Sequence, residues 1–194
     1  TIIILILPKL IGVEDYGYWQ LYLFYSSYVG FLHFGWNDGI YLRYGGETYE
    51  NLDKKQFFSQ FWMLVLFQLT LGILIYLYGS IYYYGNKVFV FKSIAICMLL
   101  VNIRYFLMYT LQCTNRIKEY AVITLFEKVL YCILIVILLI IGYRDFQLMV
   151  WADLVGKLLS LIYGMLCCKD IVFRKLDEFH INFKEILENI NVGI

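Results

Sequence analysis

Apolar and polar residues fall into long separate blocks along this chain. A membrane-spanning helix needs about 20 mostly apolar residues, because the hydrocarbon core of a bilayer is about 30 Å thick. Blocks of that length, separated by polar connections, cover residues 18–42, 57–83, 88–111, 120–141 and 146–168. Residues 1–8 are also apolar but too few to span, and they predict the end of a truncated first helix.

The blocks have the pattern of helices and not of barrel strands. Strands of a membrane barrel alternate apolar and polar residues, whereas residues 133–141 read Ile-Leu-Ile-Val-Ile-Leu-Leu-Ile-Ile. A helix also satisfies its own backbone hydrogen bonds, which lipid requires. The sequence therefore predicts an all-α membrane protein, a polytopic helical bundle with about five complete transmembrane helices.

Composition supports the same class. Hydrophobic residues make up 62% of the chain and charged residues 16%, whereas about a quarter of a typical soluble domain is charged. The net charge of +1 gives no basic field for nucleic acid. The five cysteines lack the CxxC and histidine spacing of a zinc site, and no Walker A motif is present. We therefore predict no metal and no cofactor.

The connections between the blocks differ in positive charge, which predicts their sides of the membrane. Because alternate loops share a side, lysines and arginines divide into two sets. One set comprises Arg43, Lys54, Lys55, Arg116, Lys118, Lys169, Arg174, Lys175 and Lys184, and the other Lys9, Lys87, Lys92 and Arg144. The positive-inside rule assigns the larger set to the cytoplasm. The truncated first helix then starts in the cytoplasm.

The last segment, residues 179–194, has a different pattern. Polar and charged side chains interleave there with isoleucine, leucine and phenylalanine, as in an amphipathic helix at the cytoplasmic surface. Residues 189–194 then predict the start of a further membrane helix.

Four stretches carry a resemblance to a known family. They are residues 7–19, with Gly12, Tyr16 and Gly17; residues 34–46, where glycines precede Arg43; residues 111–120; and residues 189–194. In order and spacing they resemble one six-helix lobe of the oligosaccharide flippases in the multidrug and polysaccharide exporter superfamily. By this resemblance residues 1–178 form the N-terminal transmembrane lobe, and residues 179–194 a linker with the start of a second lobe.

The resemblance implies a transporter and not an enzyme. Its two lobes would rock around a central cavity and move a polyprenyl-diphosphate-linked oligosaccharide across the bacterial cytoplasmic membrane. The expected partners are that lipid-linked substrate, membrane lipid and other membrane proteins of polysaccharide assembly. Such a cavity needs cations for the diphosphate and hydrogen-bonding groups for the sugars.

Charged residues inside the predicted spans are the first site candidates, since each costs about 2.5 to 3.5 kcal/mol on insertion scales. Counted from the turn near residue 115, Arg104 and Glu127 sit at a similar depth, so they can form an ion pair. Asp153 and Lys157 are spaced i,i+4 on one helix, where opposite charges meet. Both are predicted structural ion pairs, although Arg104 is also a candidate for substrate binding.

Four further residues are predicted to bind substrate. Lys128 is the strongest diphosphate candidate, because adjacent Glu127 points about 100° away around the helix. Arg43 lies at the cytoplasmic mouth of the second helix, where it meets an incoming phosphate or simply follows the positive-inside rule. Asn37 and Asp38, with His33, form either a strip facing sugars or cations, or polar contacts between helices.

Two other function classes stay open. A membrane glycosyltransferase or polymerase would need catalytic carboxylates in a sizeable outer loop, and the outward doublet Glu14-Asp15 has no histidine beside it. An ion-coupled multidrug exporter of the same superfamily would use Asp38, Glu127 and Asp153 to bind a cation. The cations Arg104 and Lys128 favour an anionic substrate.

Overall fold

The computed structural model describes residues 11–194, which form an α-helical bundle with no strand in that range. The truncated first helix predicted over residues 1–8 lies outside the described residues. The helices are α1 (Val13–Tyr28), α2 (Trp36–Arg43), α3 (Lys54–Tyr82), α4 (Asn86–Cys113), α5 (Ile117–Ile141), α6 (Phe146–Cys167), α7 (Lys169–Val172) and α8 (Phe183–Gly193). Short 3₁₀ helices cover Val29–His33 and Leu176–Glu178.

Four of these helices, α3 to α6, are long and apolar enough to cross a membrane. Their bounds agree with the blocks predicted at residues 57–83, 88–111, 120–141 and 146–168. Helix α3 begins where the Asp53 carboxylate accepts hydrogen bonds from the backbone N–H groups of Lys55 and Gln56. The prediction of an all-α multi-pass membrane protein is confirmed at this level.

The prediction of one continuous helix over residues 18–42 is wrong. After α1 the chain tightens into the 3₁₀ helix, and Phe34 and Gly35 then take the left-handed conformation, with φ of 51° and 76°. Helix α2 starts only beyond them. Glycine adopts this conformation at no steric cost, but hydropathy does not register such a break because the residues around it stay apolar.

Helix α4 forms the centre of the bundle. In its most apolar stretch 78% of residues are buried, against 22% for α3 and 11% for α5. It contacts α1, α2, α3, α5 and α6. Large side chains such as Met98, Phe106 and Leu107 fill the space between these helices. Helices α3 and α5 therefore lie at the periphery, with most of their apolar surface open.

Helix α8 packs along α2 in the antiparallel direction. Its C-terminal Gly193 lies against Gly35, while Glu185 near its start reaches Arg43 at the end of α2. Its side chains Ile186 and Asn189 are buried. The amphipathic segment expected at residues 179–194 thus presents one face to the broken span.

Candidate functional site

Four charged side chains meet in the middle of the bundle, and we call them the charge quartet: Arg104 of α4, Glu127 of α5, and Asp153 and Lys157 of α6. The Arg104 guanidinium contacts the Glu127 carboxylate. The Lys157 ammonium contacts Asp153 and lies 3.8 Å from Glu127 Oε1. From α1, the Tyr22 hydroxyl donates to Asp153 Oδ2 over 2.5 Å. Together with Tyr22, the quartet therefore connects α1, α4, α5 and α6.

The quartet is electrically balanced and nearly dry. Two cations face two carboxylates, and their side chains are only 6% to 16% exposed. Buried ions need such partners, because removing one leaves the other uncompensated. Of the two interpretations of Arg104, the geometry favours the ion pair over direct substrate binding.

Lys128 does not join these residues. It is exposed on the outer surface of α5, among the exposed side chains Leu125 and Val129. Within residues 11–194 no carboxylate lies within salt-bridge distance of it. An unpaired ammonium well inside a spanning helix is costly in lipid, so this surface of α5 suits water or a polar partner.

An amide belt, made of Asn37, Gln68 and Asn102, surrounds the break in the first span. Asn102 Nδ2 donates to the Val29 carbonyl over 3.0 Å and to Gln68 Oε1 over 2.9 Å. Gln68 Nε2 donates to the Leu32 carbonyl over 3.0 Å. Carbonyls that the 3₁₀ helix exposes are thereby satisfied without water, as irregular backbone in a membrane requires.

Asn37, a predicted substrate ligand, belongs to this belt. Its side chain is fully buried, and its Nδ2 donates to the backbone carbonyl of Asn102 over 3.1 Å. Its position fits a polar contact between helices, which was the other interpretation of this residue. Sequence reasoning missed Gln68 and Asn102, although a lone amide within an apolar block was a usable signal.

Asp38 has the opposite environment and opens onto a group of aromatic rings. Its side chain is 44% exposed, and one carboxylate oxygen lies 3.6 Å from Nε2 of buried His33. Beside it, the rings of Tyr41 and Tyr109 are 5.9 Å apart, and Tyr105 stacks on Tyr109 at 5.8 Å. We call Asp38, Tyr41, Tyr105 and Tyr109 the tyrosine face.

A polar recess continues the tyrosine face beyond the C-terminal end of α2. It has a volume of about 710 Å³ and lies between the loop after α2 and the turn before α5. Tyr41 lines both the face and the recess. Arg116 also lines it, where its guanidinium lies 4.3 Å from the Tyr49 ring centroid and binds Glu119. Water and polar solutes can therefore reach the tyrosine face from this side.

Arg43, the third predicted cation, is fully engaged by α8. Its Nη1 lies 2.6 Å from Glu185 Oε1 and donates to Asn189 Oδ1 over 2.6 Å. Its Nη2 contacts Glu188 Oε2 at 2.9 Å. Tyr44 adds a hydroxyl hydrogen bond of 2.8 Å to Glu185 Oε1. The predicted residues thus fall into separate places: the quartet, the belt, the tyrosine face, the end of α2 and the surface of α5.

No family model matches the sequence, and no match was found among curated proteins or solved structures. Within residues 11–194 no group of three or more His, Cys, Asp or Glu is arranged to hold a metal ion.

Proposed function

We propose that this chain forms one lobe of a flippase that moves a polyprenyl-diphosphate-linked oligosaccharide across the bacterial cytoplasmic membrane by alternating access. The observation that carries the proposal is the tyrosine face. A carboxylate that is 44% exposed within a predicted span would be costly against lipid, so its surroundings are aqueous during part of the cycle.

The chemistry of the tyrosine face suits a sugar. Aromatic rings offer flat apolar surfaces with a polar hydroxyl at the edge, and sugar rings present both apolar and hydroxyl surfaces. The Asp38 carboxylate accepts hydrogen bonds from hydroxyl groups. Since the Tyr109 ring lies within 6 Å of both the Tyr41 and the Tyr105 ring, an extended glycan can pass from ring to ring without being released.

The anionic part of the substrate calls for cations, and the two candidates lie at separate places. Arg43 ends the helix that carries Asp38, and Lys128 is an exposed, unpaired ammonium within α5 among the described residues. A guanidinium meets a phosphate group through two parallel hydrogen bonds, whereas a lysine acts as a point charge. These two positions favour an anionic substrate.

The test is transport by the full chain in proteoliposomes that contain a lipid-linked oligosaccharide, scored by access of an external glycan-cleaving enzyme. We expect protein-dependent movement without a change in substrate mass. Tyr109→Ala should slow it about tenfold, equivalent to about 1.4 kcal/mol of lost stacking. The matched control is Tyr84→Ala, which removes a tyrosine that is 85% exposed in the loop between α3 and α4.

Lys128→Ala should abolish this transport at normal protein abundance. If Lys128 is only structural, abundance changes instead, or nothing does. A new covalent product would support the alternative of a membrane glycosyltransferase or polymerase.

The second candidate is the ion-coupled multidrug exporter, and exposed Asp38 is the observation that favours it. A carboxylate beside aromatic rings also binds organic cations. In the same proteoliposomes, transport of a cationic dye that is lost in Asp38→Asn, with no movement of the glycolipid, would replace the first proposal by this one.

A further inference from the structure

The contact between α2 and α8 contains an ion cluster of unusual composition, which we call the Arg43 cluster: Arg43, Glu185 and Glu188. One guanidinium binds two carboxylates, at 2.6 Å and 2.9 Å. No other lysine or arginine among the described residues pairs with Glu185 or Glu188. The cluster therefore carries an excess negative charge.

The Arg43 cluster is open to water at Glu188 and partly at Arg43, whereas Glu185 is about as buried as Glu127 of the quartet. The side chains of Arg43, Glu185 and Glu188 are 24%, 15% and 43% exposed. Ion pairs that water can reach contribute little to stability and exchange partners readily. Two neighbouring carboxylates repel each other, which weakens their hold on the one guanidinium further.

The rest of the α2 to α8 contact is a close backbone approach. A Cβ atom added to Gly35 would lie 2.8 Å from the carbonyl carbon of Gly193. Gly39 faces the backbone of Asn189 in the same way. Small residues let helices touch without interlocking side chains. Asn189 donates to Gln60 Oε1 over 2.6 Å. The other polar attachments of this helix to α2 and its end are made by Arg43 and the Tyr44 hydroxyl.

We propose that Glu185 and Glu188 hold the place of an anionic ligand on Arg43, and that a diphosphate group displaces them and releases α8 from α2. The proposal rests on the proposed function, because the diphosphate is that of the lipid-linked substrate. Carboxylate and phosphate oxygens meet a guanidinium with the same paired geometry, so the diphosphate replaces the two carboxylate partners of Arg43, while the bond to Asn189 Oδ1 is lost with α8.

Charge repulsion explains why the diphosphate would displace the two carboxylates from Arg43. With both carboxylates in place, an arriving diphosphate meets a net negative cluster, so the two cannot share Arg43. With α8 withdrawn, Arg43 and the Tyr44 hydroxyl are left as donors at the cytoplasmic mouth. The Tyr44 hydroxyl is held there by a hydrogen bond of 3.3 Å from Gln56 Nε2. The apparent affinity for the ligand is then the intrinsic affinity multiplied by the fraction of protein in which α8 is released.

The test measures binding of farnesyl diphosphate to the detergent-purified full chain. Neutralising the competing carboxylates with Glu185→Gln and Glu188→Gln together should raise the affinity at least about fivefold, the factor that corresponds to one accessible ion pair. Glu188→Gln alone is a milder change and should raise it less. Arg43→Gln should remove binding. Glu178→Gln breaks the pair with Arg174 at 2.5 Å outside the cluster and serves as the matched control without effect.

Movement of α8 gives a second, independent measurement. Spin labels on cysteines introduced at exposed Thr48 and Lys184, with the partly exposed Cys132 and Cys167 changed to serine, should move apart when farnesyl diphosphate is added. The Arg43→Gln variant should show one label distance with and without the ligand.

Unchanged affinity in the double variant, or full binding by Arg43→Gln, would overturn the proposal. Inorganic pyrophosphate is tested as a competitor of farnesyl diphosphate. If it competes equally well, the site is confirmed, but it recognises the diphosphate group alone and not the lipid chain. The flippase proposal is judged separately by transport. If the carboxylates compete and no glycolipid moves, the exchange at Arg43 stands and the proposed function fails. If Arg43→Gln transports the glycolipid as well as the unmodified chain does, the proposed function stands and the exchange at Arg43 fails.

Discussion

The charge quartet and the Arg43 cluster are both clusters of ion pairs between cationic and carboxylate side chains, and they differ in two properties. The quartet pairs equal numbers of cations and anions, and all four side chains are at most 16% exposed. The Arg43 cluster sets one cation against two anions, and Glu188 is 43% exposed. A balanced, dry cluster loses its partners only at high cost, whereas an unbalanced, wet one can exchange them. Balance and burial together therefore separate a cluster suited to a structural role from one suited to ligand exchange.

Breaking the quartet should give the largest effect. Glu127→Gln leaves the Arg104 guanidinium buried without a counter-charge, and we expect a loss of about 3 to 5 kcal/mol in the free energy of unfolding. The measurement is unfolding of the detergent-solubilised chain together with membrane abundance. The adjacent change Lys128→Gln removes an exposed charge and should stay within about 0.5 kcal/mol. A stable Glu127→Gln variant would free Arg104 for the anion-binding role.

Variants of the amide belt test whether buried neutral polar groups also depend on having a hydrogen-bond partner. Asn102→Leu removes the donor for the Val29 carbonyl and for Gln68 Oε1, and each buried group left without a partner costs about 1 to 3 kcal/mol. We expect a loss of that order, measured by the same unfolding assay. Thr70→Val, which removes an exposed hydroxyl bonded to its own helix, is the control. Equal stability of the two variants would mean that water replaces the belt.

Sequence reasoning reached the contacts that follow from helical geometry. Arg104 and Glu127 are placed at one depth by counting from a turn, and Asp153 and Lys157 by their spacing, and the structure brings each pair together. Hydropathy locates α3 to α6 because each is a continuous helix with a long apolar stretch. The break at Phe34 and Gly35 was missed, because a left-handed turn leaves the apolar pattern intact.

Contacts between distant parts of the chain were beyond the sequence. Arg43 and Glu188 are 145 positions apart, and their meeting depends on how α8 packs on α2. The tyrosine face likewise combines Asp38 and Tyr41 with Tyr109, and a sequence with many tyrosines gives no reason to select these. Asn37 and Asp38 are neighbours in sequence, yet one is buried in the belt and the other is partly exposed beside the tyrosine rings.

The pair between Asp170 and Lys54 has balanced charge, like the quartet, but its side chains are partly exposed, so it tests balance and burial separately. Asp170 accepts a hydrogen bond from the Tyr49 hydroxyl at 2.6 Å and contacts Lys54 at 2.9 Å. Burial alone would raise the pKa of Asp170, but Tyr49 and Lys54 outweigh it, so the pKa is lowered. The contribution to stability is therefore present above the unfolded pKa, near 3.9, and is lost as the pH falls through the folded pKa.

We accordingly expect Asp170→Asn to cost about 1 kcal/mol or less at neutral pH. The difference from the unmodified chain should shrink as unfolding is measured at successively lower pH, towards 3. A difference that is constant with pH would show that the hydrogen bond from Tyr49, and not the charge, supports this contact.

The smallest expected effect on stability is also the most informative. Glu188→Gln removes one of two carboxylates from Arg43, and the other still pairs with the guanidinium at 2.6 Å. Because the pair is exposed and the cluster has excess negative charge, unfolding free energy should change by less than about 0.5 kcal/mol. The comparison with Glu127→Gln, the same chemical change in a balanced cluster, is then direct. A loss of several kcal/mol at Glu188 would make the Arg43 cluster structural and erase the distinction, whereas near-neutral stability with tighter diphosphate binding assigns this carboxylate to ligand exchange.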